Sequence, residues 1–590
     1  MTESTPRTNA KVVCTLGPAS DDRETIRALV ESGMRVARFN ASHGSREDRR
    51  ELLQRVRAVA ENLGTPVATM VDLQGPEVRT APLDEPITLA EGSDVRFVVG
   101  DDATPEEVGL SHPIDAASQG DRVLLDDGRI AATVLSVDDD AVLARVDSGG
   151  ELGGRKGVNL PGVDLALPVP TDDDREEIRL AVEEDADFVA ASFVRDAADV
   201  LSVAGVVESL GGDVPIVAKL ERAGAIEHLE AIVEAADGVM VARGDLGVEY
   251  PLEDVPLIQK RTIRECQRAG VPVIVATEML DSMVESRRPT RAEASDVANA
   301  VLDGTDAVML SAETAVGDHP VRVVETMRTI VAEVEGSDEY AELREQRVPS
   351  ADATSADSLA RAARYLARDV GASAIVAASE SGYTARKVAK YRPRVPVVAT
   401  TPNEPVHRRL ALSWGITPVD VETVDDAASL VERSVDAALD AGVADSGDTV
   451  VVLSGMMSGV RTDTTNTLKI HVAAETLTTG TSAVSGRVTG PVFHTTGDLQ
   501  GAPEGAILAL PRDFDAEFDG DLTAIGGIVA AERGLTGYPA IVARELDVPM
   551  VSGGELDPET IPDGTTVTLD AERGVVYEGD VLSGPGEHAE

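Results

Sequence analysis

Only two cysteines, Cys14 and Cys266, occur in 590 residues. That excludes a disulfide framework and fits a reducing compartment, with both thiols read as small core residues. Although 43% of the residues are hydrophobic, no uninterrupted apolar run is long enough to cross a bilayer, so a soluble protein without membrane partners is expected. The opening MTESTPRTNAKVVC has no basic segment leading into an apolar one; a cytoplasmic location is therefore expected. Lysine is also scarce. Of 53 basic residues only Lys11, Lys156, Lys219, Lys260, Lys387, Lys390 and Lys469 are lysines.

What the chain has in excess is negative charge, −51 at pH 7, spread along its whole length instead of gathered in a tail. A diffuse acidic, lysine-poor surface resembles that of proteins adapted to high salt, where self-repulsion is screened. A basic partner is the alternative; nucleic acid is disfavoured because the charge has the wrong sign. No repeat of fixed period is present.

The length calls for several domains, since single cores stop growing at roughly 250–300 residues. Eight short, near-continuously apolar runs precede residue 315: KVVCTL at 11, MRVARF at 34, PVATMVDL at 66, DFVAASF at 187, PIVAKL at 215, GVMVAR at 238, PVIVAT at 272 and DAVMLS at 306. Such runs suit parallel strands buried on both faces. Helical stretches with plausible caps lie between most of them, Ser20 to Ser32, Ser45 to Leu63, Thr171 to Asp185 and Pro289 to Leu302 among them. Eight β–α units predict an α/β fold, a (β/α)8 barrel, over 1–75 and 168–340. Valine-rich alternating pieces at 76–167 interrupt it and predict an inserted small β domain acting as a lid. After an acidic connector near 335–355, alternation of AIVAAS, VPVVATT, ITPVDV and DTVVVLSG with helices predicts a doubly wound α/β domain over 350–474. A Gly-, Thr- and Pro-rich stretch, 480–590, reads as a fourth, swivelling-type α/β domain around AILAL, VARELDV and MVSGG.

Barrel enzymes carry their sites at the carboxyl ends of the strands. Here those ends hold Arg38, Asn40 and Ser42; Asp72; Ser192; Lys219 and Glu221; Arg243, Gly244 and Asp245; Thr277; and Ser311 with Glu313. Two carboxylates suit a hard divalent cation, Lys219 with the two arginines suits anionic oxygens, and Gly244-Asp245 opens a turn whose N–H groups suit a carboxylate. A phosphorylated acid would match this set. The bland readings are ion pairs between neighbours for Lys219, a helix cap for Asp245 and a capped turn before Ser45 for Asn40 and Ser42.

The ordered stretches RFNASHG, VDLQGPEVRT, KGVNLPG, SFVR, KLER, MVARGDLGVE, ATEMLDSM, RRPTRAEASDVANAV and MLSAETAVGDHP resemble the successive signatures of pyruvate kinases, over roughly residues 10–474. The resemblance implies transfer of the phosphoryl group of phosphoenolpyruvate to ADP, giving pyruvate and ATP. It implies that Lys219 neutralises the phosphoryl group in transit and that Glu221 and Asp245 ligate Mg²⁺ or Mn²⁺. Gly244 and Asp245 would receive the substrate carboxylate through their N–H groups. Arg38 and Arg79 would grip phosphoryl oxygens, and Thr277 would position the proton donor for the enolate carbon, through water because Thr is a poor acid. Asn40, Ser42, Asp72 and the carbonyl of Leu73 fall on the family's K⁺ site, and His43, Arg79 and Lys156 on its nucleotide site. A homotetramer is the family's usual assembly.

Several positions depart from the family pattern. Leu73, Gln74, Glu77 and Thr80 mix the features of K⁺-dependent and K⁺-independent members; Glu77, where the independent ones carry Lys, favours K⁺ use. Arg222 replaces the usual Asn and Glu278 the usual Gln. The turn ASESGYTAR resembles a sugar-phosphate effector pocket, with Ser379, Ser381 and Thr384 as its oxygens; the plain reading is a strand-to-helix turn. GGIVAAERGLTGYPAIVARELDVPMVSGG resembles the phosphohistidine domain of phosphoenolpyruvate-utilising enzymes, but Tyr538 stands where the histidine belongs, so that relay chemistry is not expected. Two rivals remain at this point: a dikinase- or synthase-type phosphotransferase, which would need the missing histidine and a nucleotide-grasp domain, and a catalytically silent metabolite sensor.

Overall fold

The structure is a computed structural model that describes residues 7–126, 128–138, 141–422, 427–455 and 465–582. Residues 1–6 and 583–590 of the expected first and last domains lie outside it. The chain divides into two compact units, one of residues 1–361, 379–393 and 401–420, the other of 362–378, 394–400 and 421–590.

In the first unit, eight parallel strands close into a barrel in chain order: β1 (Lys11–Thr15), β2 (Met34–Asn40), β3 (Ala68–Asp72), β4 (Phe188–Ala191), β5 (Ile216–Leu220), β6 (Gly238–Ala242), β7 (Val273–Ala276) and β8 (Ala307–Leu310). Each coincides with one of the eight apolar runs. They are apolar on both faces because both are covered. Val13, Val36, Met70, Val217, Met240 and Ile274 fill the interior. Val12, Val71, Val189, Val239, Val275 and Val308 join the layer beneath the helices.

Helix starts follow local chemistry. Ser45, Thr171 and Thr290 each form a reciprocal capping box with the acidic residue three positions on. The first helix begins later than its Ser20 signal, because Asp22 takes the N–H groups of Glu24 and Thr25 and caps Arg23–Ser32. The connector expected to be irregular contains a helix, Asp338–Gln346; Ser337 caps it and Tyr340 is buried, accepting a hydrogen bond from Trp414 Nε1 at 3.1 Å.

Between β3 and β4 lies the inserted β domain, a seven-stranded sheet whose edge strands Val78–Arg79 and Glu107–Leu110 are joined by an antiparallel Thr80–Leu110 bridge. Its own core is built around Val95, Phe97, Val123, Ile130 and Val142.

In the second unit, Ala374–Ala378 pairs in parallel with Val397–Thr401 and Thr449–Gly455, and Thr465–Val472 adds an antiparallel edge. The terminal region is a mixed eight-stranded sheet in which Arg487–His494, Ala506–Leu510, Ile525–Ala530 and Met550–Ser552 are central, with the helix Tyr538–Leu546 following Ile525–Ala530.

Candidate active site

The carboxyl ends of β1 to β5 gather a network centred on Lys219. Its Nζ donates to Ser192 Oγ at 2.7 Å and lies 2.8 Å from Glu221 Oε1 and 3.2 Å from Asp72 Oδ1. Burial by itself would lower the affinity of this ammonium for its proton, but the charges of Asp72 and Glu221 outweigh it and hold the pKa above the usual lysine value. Asp72 is wholly buried. Burial would raise its pKa, yet Arg38 first and Lys219 second hold it below the ordinary aspartate value. The buried Lys219–Asp72 pair is thus held in its charged form inside the barrel mouth, with Glu221 against the ammonium.

Arg38 continues the network. Its Nε donates to Asp72 Oδ2 at 2.5 Å and its Nη1 to Thr15 Oγ1 at 2.8 Å, while Thr15 Oγ1 donates to the carbonyl of Leu310. Nη2 makes no protein hydrogen bond among the described residues, which leaves one edge of the guanidinium for an anion. Ser192, besides receiving Lys219, donates to the carbonyl of Leu73 at 2.7 Å. Gly75 permits this crowding: at φ +74 it has no side chain where a Cβ would meet that of Ser192 at 2.8 Å.

Glu221 is 2% exposed, and its second oxygen accepts the N–H of Phe193 at 2.7 Å. Asp245 lies in the first turn of the helix Arg243–Glu249 that leaves the neighbouring strand β6. No group of three or more His, Cys, Asp or Glu fit to hold a metal occurs among the described residues. Two carboxylates on adjacent strand ends nevertheless fit a hard divalent cation that keeps water and substrate oxygens in its shell, as Mg²⁺ does.

Gly244 and Thr277 touch: a Cβ on Gly244 would lie 2.7 Å from Thr277 Cγ2, so only glycine lets β6 and β7 bring these two together. Thr277 has φ +75 and Glu278 φ +53. For a β-branched residue this is a true outlier, costing on the order of 1–3 kcal/mol. Arg243, which the sequence offered as a second anion-binding arginine, is committed elsewhere: Nε and Nη2 donate to the carbonyls of Ala276 and Thr277 at 3.1 and 2.8 Å, and Nη1 donates to Asp296 at 2.7 Å. Glu313 likewise serves the backbone, its carboxylate accepting the N–H groups of Leu280 and Ser311.

The expected K⁺ ligands stand at the paired ends of β2 and β3, where Asn40 is in register with Asp72. Asn40 Oδ1 accepts the N–H of Ser42 at 3.1 Å, so the turn reading also describes it. All four expected ligands are oxygen donors, but Asp72 already faces Arg38 and Lys219 and the Leu73 carbonyl already accepts from Ser192.

Other expected residues stand apart from the Lys219 network. Arg79 lies in the inserted β domain, where its Nη2 pairs with Glu77 at 2.6 Å and its Nη1 donates to the carbonyl of Arg155. Lys156 pairs with Asp126 at 2.8 Å, and His43 is exposed beside Asn40. Ser379 and Ser381 accept the N–H groups of Thr384 and Tyr383 only at 3.4 Å, in the turn that opens the helix Tyr383–Lys390.

Ser192 and Thr15 are the members of this network that the sequence reading did not assign a role. The signal for both was their place at a strand end, Ser192 after β4 and Thr15 as the last residue of β1.

A closed parallel barrel with an ammonium between two carboxylates at its mouth and a small β domain inserted between β3 and β4 has the build of a barrel enzyme whose site suits an anionic substrate. The comparisons make that class specific. Residues 7–324 match the profile "Pyruvate kinase, barrel domain", 357–471 "Pyruvate kinase, alpha/beta domain" and 502–574 "PEP-utilising enzyme, mobile domain". The chain is 41% identical to a pyruvate kinase of Geobacillus stearothermophilus over 579 residues, covering 96% of this chain and 98% of that one. It is 39% identical to one of Staphylococcus aureus over 577 residues, with the same coverage. A crystal structure of a pyruvate kinase from Cryptosporidium parvum superposes with a TM-score of 0.74 at 34% identity, covering 79% of this chain and 96% of that one. The chain belongs to the pyruvate kinase family.

Proposed function

We propose that this chain transfers the phosphoryl group of phosphoenolpyruvate to ADP at the Lys219 network. The observation that carries this reading is the ammonium of Lys219, held charged between Asp72 and Glu221. A fixed cation where charge gathers on a migrating phosphoryl group is the main lever a protein has on such a reaction. Arg38 holds the phosphoryl oxygens through its remaining edge. The N–H groups of Gly244 and Asp245, at a helix start, take the substrate carboxylate. Glu221 and Asp245 would hold Mg²⁺ or Mn²⁺, which would supply positive charge beside the anionic substrate. Thr277, at the β7 end, passes a proton by way of water to the enolate carbon left after transfer.

Arg79, Lys156 and His43 are assigned to the nucleotide, the first two reaching it as lid residues. Asn40, Ser42, Asp72 and the carbonyl of Leu73 would hold K⁺, because position 77 carries Glu77, paired with Arg79, and no lysine that could replace the cation's charge. The expected boundaries, 1–75 with 168–340, 76–167, 350–474 and 480–590, are retained as the domain division. Ser379, Ser381 and Thr384 are retained as an effector phosphate site, a homotetramer as the assembly and the cytoplasm as the location. The acidic surface suits work in concentrated salt.

The test is formation of pyruvate and ATP from phosphoenolpyruvate and ADP with Mg²⁺ in molar KCl. Stoichiometric appearance of both products is expected; their absence with phosphoenolpyruvate still bound would return the silent-sensor reading.

A further inference from the structure

Thr277 does not hold its conformation by its own preference. A β-branched residue at φ +75, followed by a second non-glycine residue at φ +53, must be held there by its surroundings. Arg243 grips this segment directly. Its fork spans consecutive carbonyls on the strained segment, Ala276 through Nε at 3.1 Å and Thr277 through Nη2 at 2.8 Å. The fork is anchored in turn by both carboxylate oxygens of Asp296, from the helix Arg291–Asp303, at 2.7 and 2.6 Å. The residue after Arg243 is Gly244, whose missing side chain leaves room for Thr277 Cγ2. One dipeptide therefore presents the turn assigned to the substrate carboxylate and pins the backbone of the residue assigned to the enolate carbon.

We propose that Arg243 is a positioning residue for proton transfer: it sets the Thr277 hydroxyl relative to the carboxylate-binding turn and so governs the enol–keto step separately from phosphoryl transfer. The inference rests on the reading of Thr277 given above. Geometry makes the side chain specific. A lysine preserves the charge but has no planar fork able to bond two carbonyls and a carboxylate at once. A shift of about 1 Å in a positioned group costs on the order of 10²-fold in rate.

The step can be observed in isolation on pyruvate. In D₂O with Mg²⁺ and ATP, a C3–H bond of bound pyruvate breaks, the proton leaves through the Thr277 hydroxyl and water, and a deuteron returns to C3 by the same route. No oxidant, reductant or net transfer is involved. Loss of the methyl proton signal by NMR measures it, and ATP formation from phosphoenolpyruvate and ADP measures transfer. In Arg243→Lys the exchange is expected to fall about 10²-fold, and ATP formation much less, with KM for phosphoenolpyruvate unchanged, because enolpyruvate can leave and ketonise in water. Thr277→Val should give the same split, and Asp296→Asn, a milder change at the anchor, a smaller one in the same direction.

If Thr277→Val shows the split and neither Arg243→Lys nor Asp296→Asn does, the positioning role is wrong while the role of Thr277 stands. If Thr277→Val leaves exchange intact, the reading of Thr277 fails and the proposal with it. Equal losses of exchange and transfer in Arg243→Lys would make Arg243 a merely structural residue. Should Arg243→Lys not fold, Asp296→Asn decides by the same ratio.

Discussion

The barrel mouth and the turn at Tyr538 both belong to regions that resemble phosphoenolpyruvate-handling proteins, yet they are built in opposite ways. At the mouth the central charges are matched: Asp72, Lys219 and Glu221 are each less than a tenth exposed, with the ammonium between the two carboxyl groups. At the start of the helix Tyr538–Leu546, Gly537 offers no side-chain cap, Tyr538 is 37% exposed, and its ring packs 5.5 Å from that of Phe518. Leu535 and Ile541 are exposed beside it in sequence. Buried, paired charge is costly to assemble and persists where transfer chemistry needs it. An exposed phenol lacks the imidazole nitrogen that would carry a phosphate, so the contrast favours chemistry in the first region.

The contrast breaks most sharply at Lys219. Lys219→Met keeps the volume of the stem and removes the charge that faces both Asp72 and Glu221. Phosphoryl transfer is expected to fall by about 10³-fold or more, while phosphoenolpyruvate binding, followed by ligand-induced thermal shift, stays measurable. Turnover within a few-fold of the parent would show that the ammonium is an ordinary buried ion pair.

Next in size is the cation requirement. On the proposed reading the oxygens of Asn40, Ser42, Asp72 and Leu73 take K⁺ from solution, since Glu77, bound to Arg79, brings no positive charge of its own. Replacing KCl by NaCl at equal molarity should lower turnover by about tenfold, roughly 1.4 kcal/mol in barrier. Equal rates in the two salts would place this chain with the K⁺-independent members despite Glu77.

How far these regions were legible in the sequence differs for the same physical reason. Runs such as KVVCT, IVAKL and VIVA are apolar throughout because a closed parallel barrel buries both strand faces, so the barrel and the residues at its strand ends could be read directly. In the terminal region, Arg487–His494 and Ile525–Ala530 are interrupted by Gly490, Pro491, Gly526 and Gly527, and neither was read as a strand. The glycines sit where backbone comes close: a Cβ on Gly490 or Gly526 would meet the carbonyl of Gly505 at 2.1 or 2.5 Å. Within the site, residue types were legible and directions were not. Nothing local to Arg243 says that its guanidinium turns to the carbonyls of Ala276 and Thr277, nor that Thr15 receives Arg38. Those bonds join segments from different strands.

A smaller effect separates matched from unmatched charge outside the mouth. His471, on Thr465–Val472, has its pKa lowered to about 4, by burial first and then by Lys469 and Arg573. The folded state therefore resists a proton that the unfolded chain accepts near pH 6.5, and stability is lost as pH falls from about 6.5 towards 4. His471→Gln removes that penalty. Between pH 7 and 4.5 its Tm should fall less than the parent's, by about 3 °C. Parallel curves would mean that the histidine reaches solvent in the folded state.

The smallest effect is expected at Tyr538. The hydroxyl accepts the N–H of Phe518 at 3.2 Å, an exposed hydrogen bond, and the ring contributes the packing. Tyr538→Phe keeps the ring and gives up about 1 kcal/mol at most. If no phosphate passes through this position, turnover with phosphoenolpyruvate and ADP should stay within about twofold of the parent, a barrier change under about 0.5 kcal/mol. The informative failure would be a large drop in turnover with an unchanged melting curve. A lost hydroxyl can produce that only if the oxygen meets a reacting group or a partner during the cycle, and the terminal domain would then share in the chemistry that the present contrast confines to the barrel.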